Sequence, residues 1–158
     1  MFAALMALLA LPTASRAQTP KIDGAFISEY GIYVVYPEQE AAPDAGLPDS
    51  EFELREATRV IPARLGLRFG LLFSVTGEPA GTPVPVHLVV VYPPGVDNPE
   101  TTVVDTQIAR DIDIEIGRAR LMSVTFDKAW GLVPGEWIFQ IWSHDVKLAE
   151  QSFTVIKP

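Results

Sequence analysis

The sequence contains no cysteine among its 158 residues. This absence excludes a disulfide framework, a cysteine-ligated zinc site, an iron–sulfur cluster and a thiol nucleophile. Basic residues are also few, because 12 Lys and Arg stand against 20 Asp and Glu, which gives a formal net charge of −8. We therefore expect neither nucleic acid nor an anionic membrane surface as a partner, since both repel an acidic protein.

Long apolar runs are missing as well. The run over residues 2–11 (FAALMALLAL) has ten residues, which span about 15 Å as a helix, half of the hydrocarbon core of a membrane, so no membrane span is predicted. The small residues Ser15 and Ala17 follow it, an order typical of a secretory signal, although no basic residue precedes the run. We predict a signal peptide over residues 1–17 and a periplasmic or secreted protein over 18–158; a buried N-terminal helix is the alternative.

Apolar residues recur at every second position along the rest of the chain. Such alternation is typical of a strand that packs one face against a core. In the clearest case the side chains predicted to face inward are Leu65, Leu67, Phe69, Leu71, Phe73 and Val75. The other predicted strands are residues 26–36, 84–92, 111–116, 121–126, 137–141 and 153–155.

Turn-forming residues separate these strands. Gly and Pro cluster at residues 76–81, 93–95 and 133–135, and Ser143-His144-Asp145 is predicted to form a hairpin loop. The proline-rich acidic stretch 37–50 is predicted to be a long exposed loop. Seven or eight short strands with such connections predict an all-β, antiparallel sandwich that forms a single domain over residues 18–158.

Four segments carry a resemblance to a known family. They are residues 28–33 (SEYGIY), 58–70 (TRVIPARLGLRFG), 134–141 (PGEWIFQI) and 151–155 (QSFTV). In this combination the chain resembles a family of small exported bacterial proteins known only as domain of unknown function 3859. The resemblance implies an exported immunoglobulin-like β-sandwich with no assigned activity, and it supplies no catalytic residue.

No catalytic motif is found. The only histidines are His87 and His144, and neither belongs to a metal-binding or nucleophile motif. Asp111, Asp113 and Glu115 share one strand face, but carboxylates about 6.6–6.8 Å apart do not gather the six to eight oxygens of a calcium site. We predict no enzyme, no cofactor and no metal; a hydrolase in which either histidine meets an acid and a hydroxyl is the remote alternative.

Four candidate binding residues remain: Tyr33, Arg64, Arg68 and Trp142. The two arginines, with Arg55 and Arg59, lie within fourteen positions and form either an anion site or solvated charges that balance an acidic protein. The two aromatic rings are either exposed platforms or buried packing. The function predicted is a non-catalytic interaction or structural module of the cell envelope, whose partner is another envelope protein; the alternative partner is a glycan or a small ligand.

Overall fold

The computed structural model describes residues 19–36, 52–94 and 106–158. The predicted signal peptide and the predicted acidic loop lie outside these ranges. Within them the chain forms nine strands and a single turn of 3-10 helix at Ala129–Gly131. The strands are β1 (Lys21–Val35), β2 (Phe52–Glu56), β3 (Val60–Pro62), β4 (Arg68–Glu78), β5 (Pro83–Val91), β6 (Gln107–Glu115), β7 (Ala119–Thr125), β8 (Gly135–Ser143) and β9 (Val146–Ile156).

The strands form two sheets that share one hydrophobic core. One sheet has the order β2-β1-β4-β7, and the other has the order β3-β9-β8-β5-β6. The predicted alternation is confirmed in β4 and β8, where every second side chain is buried. The all-β sandwich predicted from period-two patterning is therefore the fold observed.

Aromatic rings fill the centre of the core. The Phe69 ring centroid lies 5.2 Å from that of Phe126, 5.8 Å from Trp137, 5.5 Å from Phe139 and 5.4 Å from Phe153. The last three contacts are edge-to-face and the first is tilted. Aromatic pairs in such arrangements stabilise a core beyond the area that they bury. Packing of rings therefore joins the two sheets of this cysteine-free chain.

One residue of the predicted core lies on the surface instead. Leu65 was expected to begin the alternation of β4, but its side chain is 55% exposed. The strand begins only at Arg68, because a turn precedes it in which the Leu67 N–H donates to the Arg64 carbonyl at 3.1 Å. Gly66 adopts φ 79° in this turn, a value that does not occur in a regular strand. The alternation of apolar residues therefore begins at Leu65, before the strand itself begins at Arg68.

The predicted strand count and strand direction are wrong in detail. Nine strands are described rather than seven or eight, because β2 and β3 have only five and three residues and too little alternation to be detected. The β3–β9 pair is parallel, whereas the other pairs between the described strands are antiparallel. The β2–β3 connection crosses from one sheet to the other, since β2 and β3 belong to different sheets.

Among the described residues, no helix has the length and apolar character needed to cross a membrane.

Candidate anion-binding cleft

A half-open cleft of about 430 Å³ lies where the β1–β2 pair meets the β3–β4 connection. It is lined by Ile32, Tyr33, Val34, Arg55, Glu56, Pro62, Arg64, Leu65, Gly66, Leu67 and Arg68. Three of the four predicted binding residues thus share one cleft, although they come from distant parts of the sequence.

A β-bulge brings Arg55 into this cleft. In the β1–β2 register Ile32 pairs with Glu56 while Tyr33 pairs with Leu54, so Arg55 is an extra residue in β2. A bulge redirects the side chain of the extra residue, which here lines the cleft. No pattern in the sequence marked this bulge, so Arg55 entered the sequence analysis only as one member of an arginine group.

The turn before β4 presents Arg64 and Leu65. Besides the bond within the turn, the Gly66 N–H donates to the Phe126 carbonyl at 2.8 Å and fixes the turn against the end of β7. Both Arg64 and Leu65 are exposed as a result. The cleft therefore offers an apolar side chain beside a cation.

Positive charge dominates the lining. Arg55, Arg64 and Arg68 contribute three guanidinium groups, against the single carboxylate of Glu56. In the described part of the chain, neither Arg55 nor Arg64 forms an ion pair. Arg59, the fourth member of the arginine group, is not part of the lining, because its guanidinium stacks on the Tyr30 ring with the Cζ atom 5.0 Å from the ring centroid.

Tyr33 forms a buried wall of the cleft. Only 3% of the residue is exposed, and its ring contacts Phe52 edge-on at 5.7 Å. Burial raises the pKa of the Tyr33 hydroxyl, the negative charge of Glu29 raises it further, and the backbone of Leu72 partly lowers it. Although Leu72 is near, the hydroxyl makes no hydrogen bond of ordinary geometry within the described residues. Of the two interpretations offered for this ring, the structure shows buried packing.

Trp142 lies apart from the other candidates, on the sheet that contains β8 and β9. It alternates with the buried residues of β8 and so faces away from the core. Its indole N–H donates to Gln140 Oε1 at 3.1 Å, and Lys147 Nζ lies 5.8 Å from its ring centroid. Lys147 and Gln140 both donate to Glu150, at 2.6 and 2.9 Å, which lowers the pKa of the Glu150 carboxyl. Trp142 is therefore one member of a polar surface network.

The two histidines do not assemble a hydrolytic site from the described residues. His87 Nδ1 lies 2.7 Å from Asp111 Oδ1, but no hydroxyl joins this pair. His144 Nδ1 lies 3.2 Å from the Ser143 hydroxyl in the β8–β9 turn, but no acid is bonded to that histidine. Within the same ranges, no three side chains of the metal-ligating types come together.

Comparison with solved structures identifies the fold class. A crystal structure of an immunoglobulin-like protein from Pseudomonas aeruginosa is similar with a TM-score of 0.63 and 24% sequence identity, over 90% of this chain and 100% of that chain. A β-glucosidase from Erythrobacter marinus shares 16% identity with a TM-score of 0.35, over 63% of this chain and 14% of its own. A likeness of this extent indicates neither the fold nor the function of this protein. The protein is thus an immunoglobulin-like β-sandwich.

The family is shown by a match over residues 24–155 to the domain of unknown function DUF3859. The match spans most of the chain, so the chain belongs to this family, and the resemblance found in its sequence motifs is confirmed. No curated protein is similar enough to count as a match.

Proposed function

We propose that the protein is a non-catalytic interaction module of the cell envelope, and that its arginine cleft binds an acidic segment of a partner protein. One observation carries this proposal. Three guanidinium groups line one cleft of a protein whose net charge is −8, and two of them have no ion-pair partner among the described residues.

The chemistry of the cleft favours carboxylates. A guanidinium is planar and always charged, and its donors match the two oxygens of a carboxylate, so an arginine group selects acidic side chains. The exposed Leu65 adds an apolar contact beside the cations. A polypeptide that carries both carboxylates and apolar groups uses both features, whereas a small inorganic anion uses only the first.

Two observations support the absence of catalysis. The family has no assigned activity. In addition, the described residues bring no hydroxyl, histidine and acid together in the cleft. We therefore assign the cleft to recognition.

Export to the periplasm or the medium is part of the proposal. It is supported by the apolar run at residues 2–11 and by the small residues Ser15 and Ala17 before Gln18. Mass spectrometry of the protein recovered from the cells that naturally produce it is expected to find Gln18 at the N-terminus. A mature protein that retains residues 2–17 would contradict the proposed cleavage.

Charge reversal at the cleft tests the binding proposal. We expect Arg55→Glu/Arg64→Glu to bind a fluorescent hexaglutamate peptide at least about tenfold more weakly than the wild type. Each hydrogen bond to a charged group contributes about 1.5–3 kcal/mol, and about 1.4 kcal/mol corresponds to tenfold in affinity. Fluorescence anisotropy at low salt measures the affinity, and wild-type binding should weaken as salt screens the charges.

The matched control is Arg118→Glu/Lys157→Glu, which changes the net charge equally at two exposed positions outside the cleft. This variant is expected to bind close to the wild-type level. Equal weakening in both double variants would mean that only the overall charge matters, and it would overturn the cleft as the binding site.

A glycan is the second candidate ligand, favoured by the polar network around Trp142. Gln140 and Glu150 could bond sugar hydroxyls beside the indole ring, but Tyr33 belongs to the other sheet and cannot contribute. In a screen of envelope oligosaccharides, binding lost in Trp142→Ala and retained in Arg55→Glu/Arg64→Glu would favour this candidate. No binding of any oligosaccharide would count against it.

A further inference from the structure

The outer edge of β6 is unpaired within the described part of the chain. β6 pairs with β5 through nine consecutive residue pairs without a register shift. The other strands at sheet edges are less regular or shorter, because β2 contains a bulge, β3 has three residues and β7 pairs over seven. A long regular edge offers a row of backbone donors and acceptors on which another strand can pair.

The two faces of β6 differ in character. Asp111, Asp113 and Glu115 alternate on the face that points away from the core. On the other face Ile108 pairs with Val90; Val90 is 5% exposed, but Ile108 is 49% exposed. About half of Ile108 is therefore exposed, and an apolar residue placed beside it would be buried together with it.

We propose that the edge of β6 binds an extended segment of a partner protein by strand addition, and that this segment alternates basic residues with apolar ones. Backbone hydrogen bonds to β6 hold the segment regardless of its sequence. Its basic residues lie beside Asp111, Asp113 and Glu115, since opposite charges on neighbouring strands attract, and its apolar residues lie beside Ile108.

A second copy of this chain fits this edge poorly when the two strands are centred on Asp113. If two β6 strands pair antiparallel about Asp113, each Asp113 faces the other, and Asp111 of each copy faces Glu115 of the other. Like charges that lie directly opposite each other destabilise a strand pair. The charge pattern that attracts a basic segment therefore opposes self-association in this register.

This surface is separate from the arginine cleft. The cleft lies beside β2 and β3, whereas β6 is at the opposite edge of its sheet from β3. The ligands also have opposite charge, so a basic peptide that binds β6 is repelled by the arginines. The strand-addition proposal can therefore fail while the cleft proposal stands, and the reverse also holds.

The probe is a nine-residue peptide of alternating lysine and valine with blocked ends, added to the full chain. We expect this peptide to slow amide hydrogen exchange in β6. We also expect the Asp113→Lys variant to bind the peptide about fivefold more weakly than the wild type, because one cross-strand charge pair changes from attraction to repulsion. Asp113 pairs with Pro85 and is exposed, so the change leaves the core intact. Asp127→Lys, which makes the same charge change at an exposed position outside the strands, is expected to keep wild-type affinity.

Three results would overturn the proposal. Equal weakening by Asp113→Lys and Asp127→Lys would show attraction to net charge alone. Undiminished binding of a peptide N-methylated at alternate residues would show that no backbone pairing occurs. Protection of β6 that rises with protein concentration in the absence of peptide would show that a second copy occupies the edge.

Discussion

Phe69→Ala is expected to lower the free energy of unfolding by about 3–5 kcal/mol, the usual cost of removing a large aromatic side chain from a core. Phe69 has no exposed surface, and its ring contacts four other aromatic rings, two from β8, one from β9 and one from the segment after β7. Its loss leaves a cavity that the surrounding rings, which are held by β8, β9 and the segment after β7, cannot fill by small movements. Urea unfolding followed by tryptophan fluorescence measures the change.

The control for this substitution is Phe26→Ala. Phe26 is a residue of β1 and is 62% exposed, so the same chemical change removes little buried surface there. We expect a change within about 0.5 kcal/mol, as is usual for surface substitutions. Equal urea midpoints for the wild type and Phe69→Ala would show that the aromatic cluster does not hold the sheets together.

Gly31→Ala is expected to destabilise the protein and to disturb the cleft. Gly31 adopts φ 145°, and an added Cβ atom would collide with the carbonyl oxygen of Glu56 in β2. The unusual backbone conformation costs about 1–3 kcal/mol for a residue with a side chain, and overpacking costs about 1–3 kcal/mol more. Because Glu56 follows Arg55 in the bulge, the collision should also displace Arg55 and weaken hexaglutamate binding.

Gly117→Ala separates the cost of the backbone conformation from the cost of overpacking. Gly117 also has a positive φ, 86°, but a Cβ atom there would meet nothing within 4 Å. It should therefore show only the conformational cost, and it should leave hexaglutamate binding unchanged because the residue lies outside the cleft. If the two glycine variants were equally stable, the close approach of β1 and β2 would not be a constraint on this fold.

The fold was largely predictable from the sequence, since its long strands carry strict alternation. The inward positions Phe69, Leu71, Phe73 and Val75 are all buried, as the period of two required. The prediction that Leu65 faces the core was wrong, because a periodic pattern does not reveal where a turn interrupts the strand. The short strands β2 and β3 were missed because a strand of three to five residues does not repeat a pattern often enough to be recognised.

The candidate site was predictable only in part. Arg64 and Arg68 stood out because they were clustered in a protein with few cations, and the structure brings them to one cleft with Tyr33. The place of Arg55 depends on a bulge, which arises from the pairing of two strands and leaves no signal in either strand alone. The sequence could not show that Trp142 lies apart from Tyr33, Arg64 and Arg68, because it does not say which sheet contains a given strand.

The most direct test of the arginine cleft as an interaction site is to map the binding of hexaglutamate by NMR on the isotope-labelled protein. The proposal predicts that the backbone amide shifts that change are confined to residues 32–34, 55–56 and 64–68, where the cleft lies. Shifts that change around Trp142 instead, or evenly over all the exposed basic residues, would contradict it.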